Sequence, residues 1–196
     1  VDRIIVDTRI RRRFFEGKKR DKPPNKIVLH GTAGGGSGGK AGEPGGLYNW
    51  MLSGERGDEY KRGVGLFPFL IERDGDIIEL LNADLWVYHS GIGSEDSETI
   101  GIELVNRKRE NAGVYNADQY ESLEFLLSIL IEKYPIETIW GHSAILMDRR
   151  GRVNRTPCPG PEFDWTKLHD YFTRKQIPFN KGNEIIAGIG IGSAIA

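Results

Sequence analysis

A single cysteine, Cys158, excludes an internal disulfide and leaves that residue as a buried thiol, a reactive thiol or a metal ligand. Charge of one sign is also lacking. A formal net charge of -1 gives no overall pull toward nucleic acid or an anionic membrane, and no nucleic-acid partner is expected. No internal repeat is visible, which excludes solenoids and propellers. There is no pair of histidines at helical spacing, so no short local motif announces a metal site. The chain opens on Val1 and reaches charged residues at once, without the layout of a signal peptide; it reads as processed or as part of a longer chain.

What is present is enough for one substantial core, since the chain has 196 residues. Two stretches stand apart from it. Arg11, Arg12, Arg13, Lys18, Lys19, Arg20 and Lys22 crowd together near the start, as a solvated arm or as a polyanion-binding one. From Ile185 to Ala196 the chain carries only Ile, Ala, Gly and Ser. That is too short to span a bilayer, which takes about 20 residues. Gly188 and Gly192 have a spacing that lets apolar helices approach, so the tail reads as a strand, a buried or disordered end, or a membrane or assembly contact. The expected division is residues 1–25 as strand and basic arm, 26–177 as the main folded domain and 178–196 as the tail.

The chain between these ends alternates strand and helix patterns. RIIVDTRI over 3–10 has the β-branched content of a short strand, and Pro23-Pro24 reads as a connector. Lys26 to Leu29 is a buried-strand run with His30 at its carboxyl end. A glycine-rich loop follows from Thr32 to Gly46, and Leu47 to Ser53 reads as a short helix with Tyr48 and Trp50. Leu66–Arg73 and Asp76–Leu81 flank Asp74-Gly75, which predicts a hairpin with a two-residue type I′ turn. Trp86 to His89 is extended. TIGIELV over 99–105 is a strand with Ile100, Ile102 and Leu104 on one face and Gly101, Glu103 and Val105 on the other. Asn116 caps a helix to about Tyr134, stopped by Pro135, with a wide apolar face of Tyr120, Leu123, Leu127 and Leu130. Ile136 to Trp140 is a last strand that delivers His142, and Trp165–Phe172 is a final helix capped by Asp164. The expected fold is α/β: a single domain with a central mixed sheet flanked by helices and a site at the strand ends.

His30 and His142 close strands, and Cys158 sits in a turn-rich segment. Imidazole nitrogen and thiolate sulfur suit zinc, and three protein ligands with an open fourth position is the catalytic pattern. Taken singly, each has a plain alternative: a hydrogen-bonded histidine or a small apolar cysteine. Six motifs carry a resemblance that bears on the choice. In order they are IVLHGTAG, FLIERDGDIIEL, VYHSG, ETIGIELVN, WGHSAI and TPCPGPEFDW, spread over residues 26–172.

In these motifs the chain resembles the zinc N-acetylmuramoyl-L-alanine amidases. That family includes the phage lysozyme-type amidases, the cytosolic anhydromuramyl-peptide amidase and the peptidoglycan recognition proteins. The resemblance implies Zn²⁺ held by His30, His142 and Cys158, and a peptidoglycan or muropeptide substrate, so an enzyme acting on the bacterial cell wall. It implies Glu103 as general base; the alternative is a strand glutamate paired with a cation. Thr156 matches a position that is threonine in catalytic recognition proteins and lysine in other relatives, and its hydroxyl is a candidate oxyanion donor, with Arg155 a weaker substitute. His89 matches a family histidine near the cleft that is not a ligand; it contacts substrate or is held by a neighbour. Where many relatives have a tyrosine near the metal, this chain has Phe67 followed by Pro68, which leaves Glu103 as the base. Trp50, Trp86 and Tyr48 either stack on sugar rings or lie in the core. The rival readings are a non-catalytic peptidoglycan-binding module and another zinc hydrolase on the same fold.

Overall fold

In the computed structural model, residues 4–6, 17–32, 65–91, 93–106, 113–145, 157–180 and 185–186 are described. Three parallel strands form the centre. β3 (Lys26–Gly31) lies between β7 (Thr99–Leu104) and β8 (Thr138–Gly141), in register Ile27↔Ile100 and Ile27↔Ile139. Outward from β7 come β4 (Phe69–Ile71), β5 (Ile77–Glu79) and β1 (Ile4–Val6). Outward from β8 come β9 (Phe179–Asn180) and β10 (Ile185–Ile186), so Thr138–Gly141 is not the last strand. The β4–β5 and β9–β10 pairs are antiparallel and the other pairs parallel, which makes the sheet mixed, as expected.

Alternation along the central strands separates two faces. Ile27, Leu29, Ile100, Ile102 and Leu104 join one hydrophobic core with the helices, while His30 and Glu103 are opposite partners on the other face. A short helix, α1 (Gly93–Glu98), leads into β7. The long helix α2 (Ala117–Lys133) sends Leu123, Leu126, Leu127 and Leu130 into the core, and α3 (Thr166–Lys175) adds Leu168, Tyr171 and Phe172.

Asn116 begins α2 by a reciprocal capping box. Its Oδ1 accepts from the Gln119 amide at 3.0 Å, and the Asn116 amide donates back to Gln119 Oε1 at 3.3 Å. At α3 the cap position falls to Trp165, but Asp164 Oδ1 still accepts from the Thr166 amide at 3.0 Å.

The hairpin differs from the expectation at its tip. The Glu72 amide donates to the Asp76 carbonyl at 2.9 Å, so the loop holds Arg73, Asp74 and Gly75 rather than two residues. Only Gly75 there has a positive φ, +86°, whereas a type I′ turn needs one at Asp74 as well. The turn is docked: Ser122 Oγ of α2 donates to the Gly75 carbonyl, and a side chain at 75 would press on Ser122 and Asp118. Gly75, at positive φ, takes the last position of a three-residue loop.

The basic cluster is also not uniformly solvated. Lys18 and Lys19 form β2 (Lys18–Lys19), exposed and paired antiparallel with β6 (Leu85–Trp86). Arg20 is buried and donates to the carbonyls of Ala83, Asp96, Ser97 and Thr99 at 2.6–3.3 Å. Burial lowers its pKa to about 10, so the guanidinium stays charged at neutral pH. Arg11 to Arg13, the glycine-rich loop, Tyr48, Trp50, Arg155, Thr156 and the tail beyond Ile186 lie outside the described residues. No helix among the described residues is long and apolar enough to cross a membrane.

The capping box is expected to be worth about 0.5–2 kcal/mol. Asn116→Ala should lower stability by that amount in urea unfolding. A change near zero would show that the cap is dispensable.

Candidate metal centre

Parallel pairing places the carboxyl ends of β3, β7 and β8 side by side. His30 is on β3 and Glu103 on β7, as direct partners. His142 follows β8 at once, opening a single 3₁₀ turn, His142–Ala144. Cys158 arrives from outside the sheet and is fixed by its neighbours. Its carbonyl accepts from the Ser143 amide at 2.8 Å, and the Gly31 amide donates to its Sγ at 3.1 Å. The buried Tyr115 hydroxyl donates to the next carbonyl, Pro159, at 2.6 Å. Gly141 admits this turn, because a Cβ there would meet Pro159 at 3.0 Å and Trp165 at 3.1 Å.

His30, His142 and Cys158 each bring one ligand atom to within 4.8 Å of the others. Cys158 Sγ lies 3.8 Å from His30 Nδ1, and the two imidazole centroids are 4.5 Å apart. Hydrogen bonds fix which nitrogen faces inward. His142 Nε2 lies 3.0 Å from the Ser90 carbonyl, which only accepts, so Nε2 carries the proton and Nδ1 the lone pair. His30 Nε2 lies 3.0 Å from His89 Nδ1, and His89 Nε2 lies 2.9 Å from Thr99 Oγ1. For His30 Nδ1 to act as a ligand, Nε2–H must donate to His89 Nδ1, and His89 Nε2–H to Thr99. Imidazoles whose outer N–H groups are held in this way suit a metal, and the Gly31 amide supports a thiolate.

Burial tunes the same rings. Desolvation, then His142 and His89, holds His30 well below the usual imidazole range; desolvation, then His142 and the Arg20 charge, drives His89 down to about 3. His142 is lowered by burial, partly offset by its bond to Ser90. All three are neutral at pH 7, so no proton on them competes with a metal. Glu103 behaves oppositely, pushed up to about 8 by desolvation. Among the described residues no cation is paired with it, which leaves the ion-paired alternative without a partner.

Of the expected site residues, the sheet brings His30, His89, Glu103, His142 and Cys158 together, and Thr156 lies outside the described residues. Phe67 is buried, at 6% exposure. Sequence reasoning missed Thr99, Ser90 and Tyr115, which bond to His89, His142 and Pro159 in the candidate site. ETIGIELVN did contain one further signal. Gly101 sits under the His89 ring, and a Cβ there would come within 2.8 Å of His89 Cγ.

A match to the N-acetylmuramoyl-L-alanine amidase family covers residues 20–161 and includes His30, His89, Glu103, His142 and Cys158. The chain belongs to that family. The 1,6-anhydro-N-acetylmuramyl-L-alanine amidase AmpD of Enterobacter cloacae is 32% identical over 112 residues, 53% of this chain and 55% of that protein. The chain thus spans about half the length of the curated relatives it matches. Among solved structures, the Ph2119 endolysin from the Thermus scotoductus bacteriophage superposes with a TM-score of 0.62 at 22% identity, covering 86% of this chain and 97% of that one. Drosophila PGRP-LB gives 0.57 at 15% identity, covering 86% and 94%. The family's mixed sheet with flanking helices is the fold seen here.

Two outcomes follow from this geometry. Gly101→Ala keeps an ordinary strand conformation but displaces the His89 ring, so metal affinity should fall about 10–100-fold while the metal-free near-UV spectrum is kept. Unchanged affinity would contradict the contact. For the metal-free protein, the unfolded histidines take up protons below about pH 6.5. The folded ones resist protonation, His89 down to about 3, so stability falls as pH drops through that window. Glu103 holds its proton up to about 8 when folded but only to about 4.5 when unfolded, so its contribution is lost as pH rises from 4.5 to 8. Denaturation in chelator should show greatest stability near pH 6.5, and Glu103→Gln should remove the alkaline decline alone.

Proposed function

We propose that the chain is a zinc-dependent N-acetylmuramoyl-L-alanine amidase, cleaving the amide between the lactyl group of N-acetylmuramic acid and L-alanine in peptidoglycan. The observation that carries this reading is the His30–His142–Cys158 donor set, with Glu103 one strand away from His30. Family membership gives the reaction class. The AmpD relatives, named as N-acetylmuramyl-L-alanine amidases, point to the same bond.

His30 Nδ1, His142 Nδ1 and Cys158 Sγ would hold the ion. When bound, zinc at three such ligands acidifies water and polarises a carbonyl. Everything else falls to the protein. Glu103 takes the proton from the attacking water and returns it to the departing alanine amine, one carboxylate serving both halves of the reaction. Desolvation makes it a stronger base than an exposed glutamate, and a bound dication would bring its raised pKa back toward ionisation at neutral pH. Phe67 has no proton to offer, so this work rests on Glu103 alone. Thr156 supplies a hydroxyl to the developing oxyanion. His89, with its ring nitrogens facing His30 and Thr99, acts through His30.

The test is digestion of purified sacculi, with mass spectrometry of the products. Expected are stem peptides with a free alanine amino terminus, lost with chelator and restored by zinc. Glu103→Gln should lower turnover by about 10²–10⁴-fold with metal content intact. Near wild-type turnover in that variant would remove Glu103 from the chemistry. Sacculi bound but never cleaved would mark a recognition module.

A further inference from the structure

We propose that Asp96 is a positioning residue for both histidine ligands, acting through the turn at His89-Ser90; the proposal rests on the reading of His30, His142 and Cys158 as a metal site. His89 and Ser90 are consecutive, and each reaches a different ligand. The His89 ring meets His30 Nε2 at 3.0 Å, and the Ser90 carbonyl accepts from His142 Nε2 at 3.0 Å. A shift of this one turn would therefore move the outer partner of both imidazoles together.

Asp96 holds the turn from α1. Its carboxylate is fully buried, and Oδ1 accepts from the Ser90 amide at 2.8 Å and from the His89 amide at 3.3 Å. The same oxygen lies 3.6 Å from His89 Nε2, so it faces the ring edge as well as the backbone. The helix end that carries it is tied down in turn. Arg20 donates to the carbonyls of Asp96, Ser97 and Thr99, binding α1 to the start of β7, where Thr99 Oγ1 closes the far side of the His89 ring. One guanidinium, one carboxylate and one hydroxyl thus set a dipeptide that sets two ligands. Outer partners of metal-bound histidines fix tautomer and ring orientation, and their loss lowers affinity about 10–100-fold.

The requirement on Asp96 is a well-placed oxygen acceptor, which asparagine can also supply. Cobalt(II) titration of the full chain against a competing chelator, with absorption spectra, tests this. Asp96→Ala is expected to lower cobalt affinity about 10–100-fold and to broaden or shift the d–d bands, while Asp96→Asn recovers affinity to within about threefold of wild type. Wild-type affinity in Asp96→Ala overturns the proposal, as does an Asp96→Asn protein as weak as Asp96→Ala. If Asp96→Ala lacks the native near-UV spectrum, amide exchange at His89 and Ser90 in Asp96→Asn decides. Protection kept with affinity kept supports the clamp; affinity lost in Asp96→Asn, or protection lost with affinity unchanged, overturns it. Failure of the underlying metal reading looks different, because wild-type protein then shows no thiolate-to-cobalt band at all, and the proposal falls with it.

Discussion

Parallel hydrogen bonding among β3, β7 and β8 is the constraint on which the site depends. In a parallel set all strands end at the same edge, so the residues that finish them become neighbours whatever their separation in sequence. His30 and Glu103 are paired by that register, and His142 stands one strand further on. The register is in turn enforced by burial. Ile27, Leu29, Ile100, Ile102 and Leu104 face the helical core, and a slip by one residue would turn them away from it and carry His30 and Glu103 inside. Core packing and site geometry are thus the same alignment seen from opposite faces of one sheet.

The chemistry of the site comes from low polarity as much as from residue type. Burial keeps three imidazoles neutral and makes a carboxylate reluctant to ionise, both by disfavouring charge. A cation placed among them would reverse that balance for Glu103 while using the lone pairs of the imidazoles. Neutral donors beside a carboxylate that resists ionisation suit a cation.

Much of this was legible in the sequence, for definable reasons. His30 and His142 follow short β-branched runs, and strand ends point to a shared edge. Asn116 before a wide apolar pattern, with Gln119 three residues on, is a local signal, and the helix starts where it indicates. Six motifs in order carried the family. The rest was hidden because it depends on tertiary contact. Asp74-Gly75 has the composition of a two-residue turn but also suits a three-residue loop with Gly75 at positive φ, and the latter forms, docked on Ser122. Arg20 looked like one more solvated charge beside Lys18 and Lys19, and only the fold shows four carbonyls converging on it. Asp96 lies in a polar stretch, GSEDSE, where nothing separates it from its acidic neighbours except where the chain buries it.

The placement of Arg20 also bears on how small this unit can be made. It precedes the first long strand, in a stretch that a protein engineer trimming the chain to its regular sheet would discard. Such a truncation would leave four inward-facing peptide oxygens without their shared donor, each seeking water where there is little room for it. The shortest version that keeps its shape accordingly starts before Arg20, and the stretch from Gly17 to Lys26 is part of its architecture.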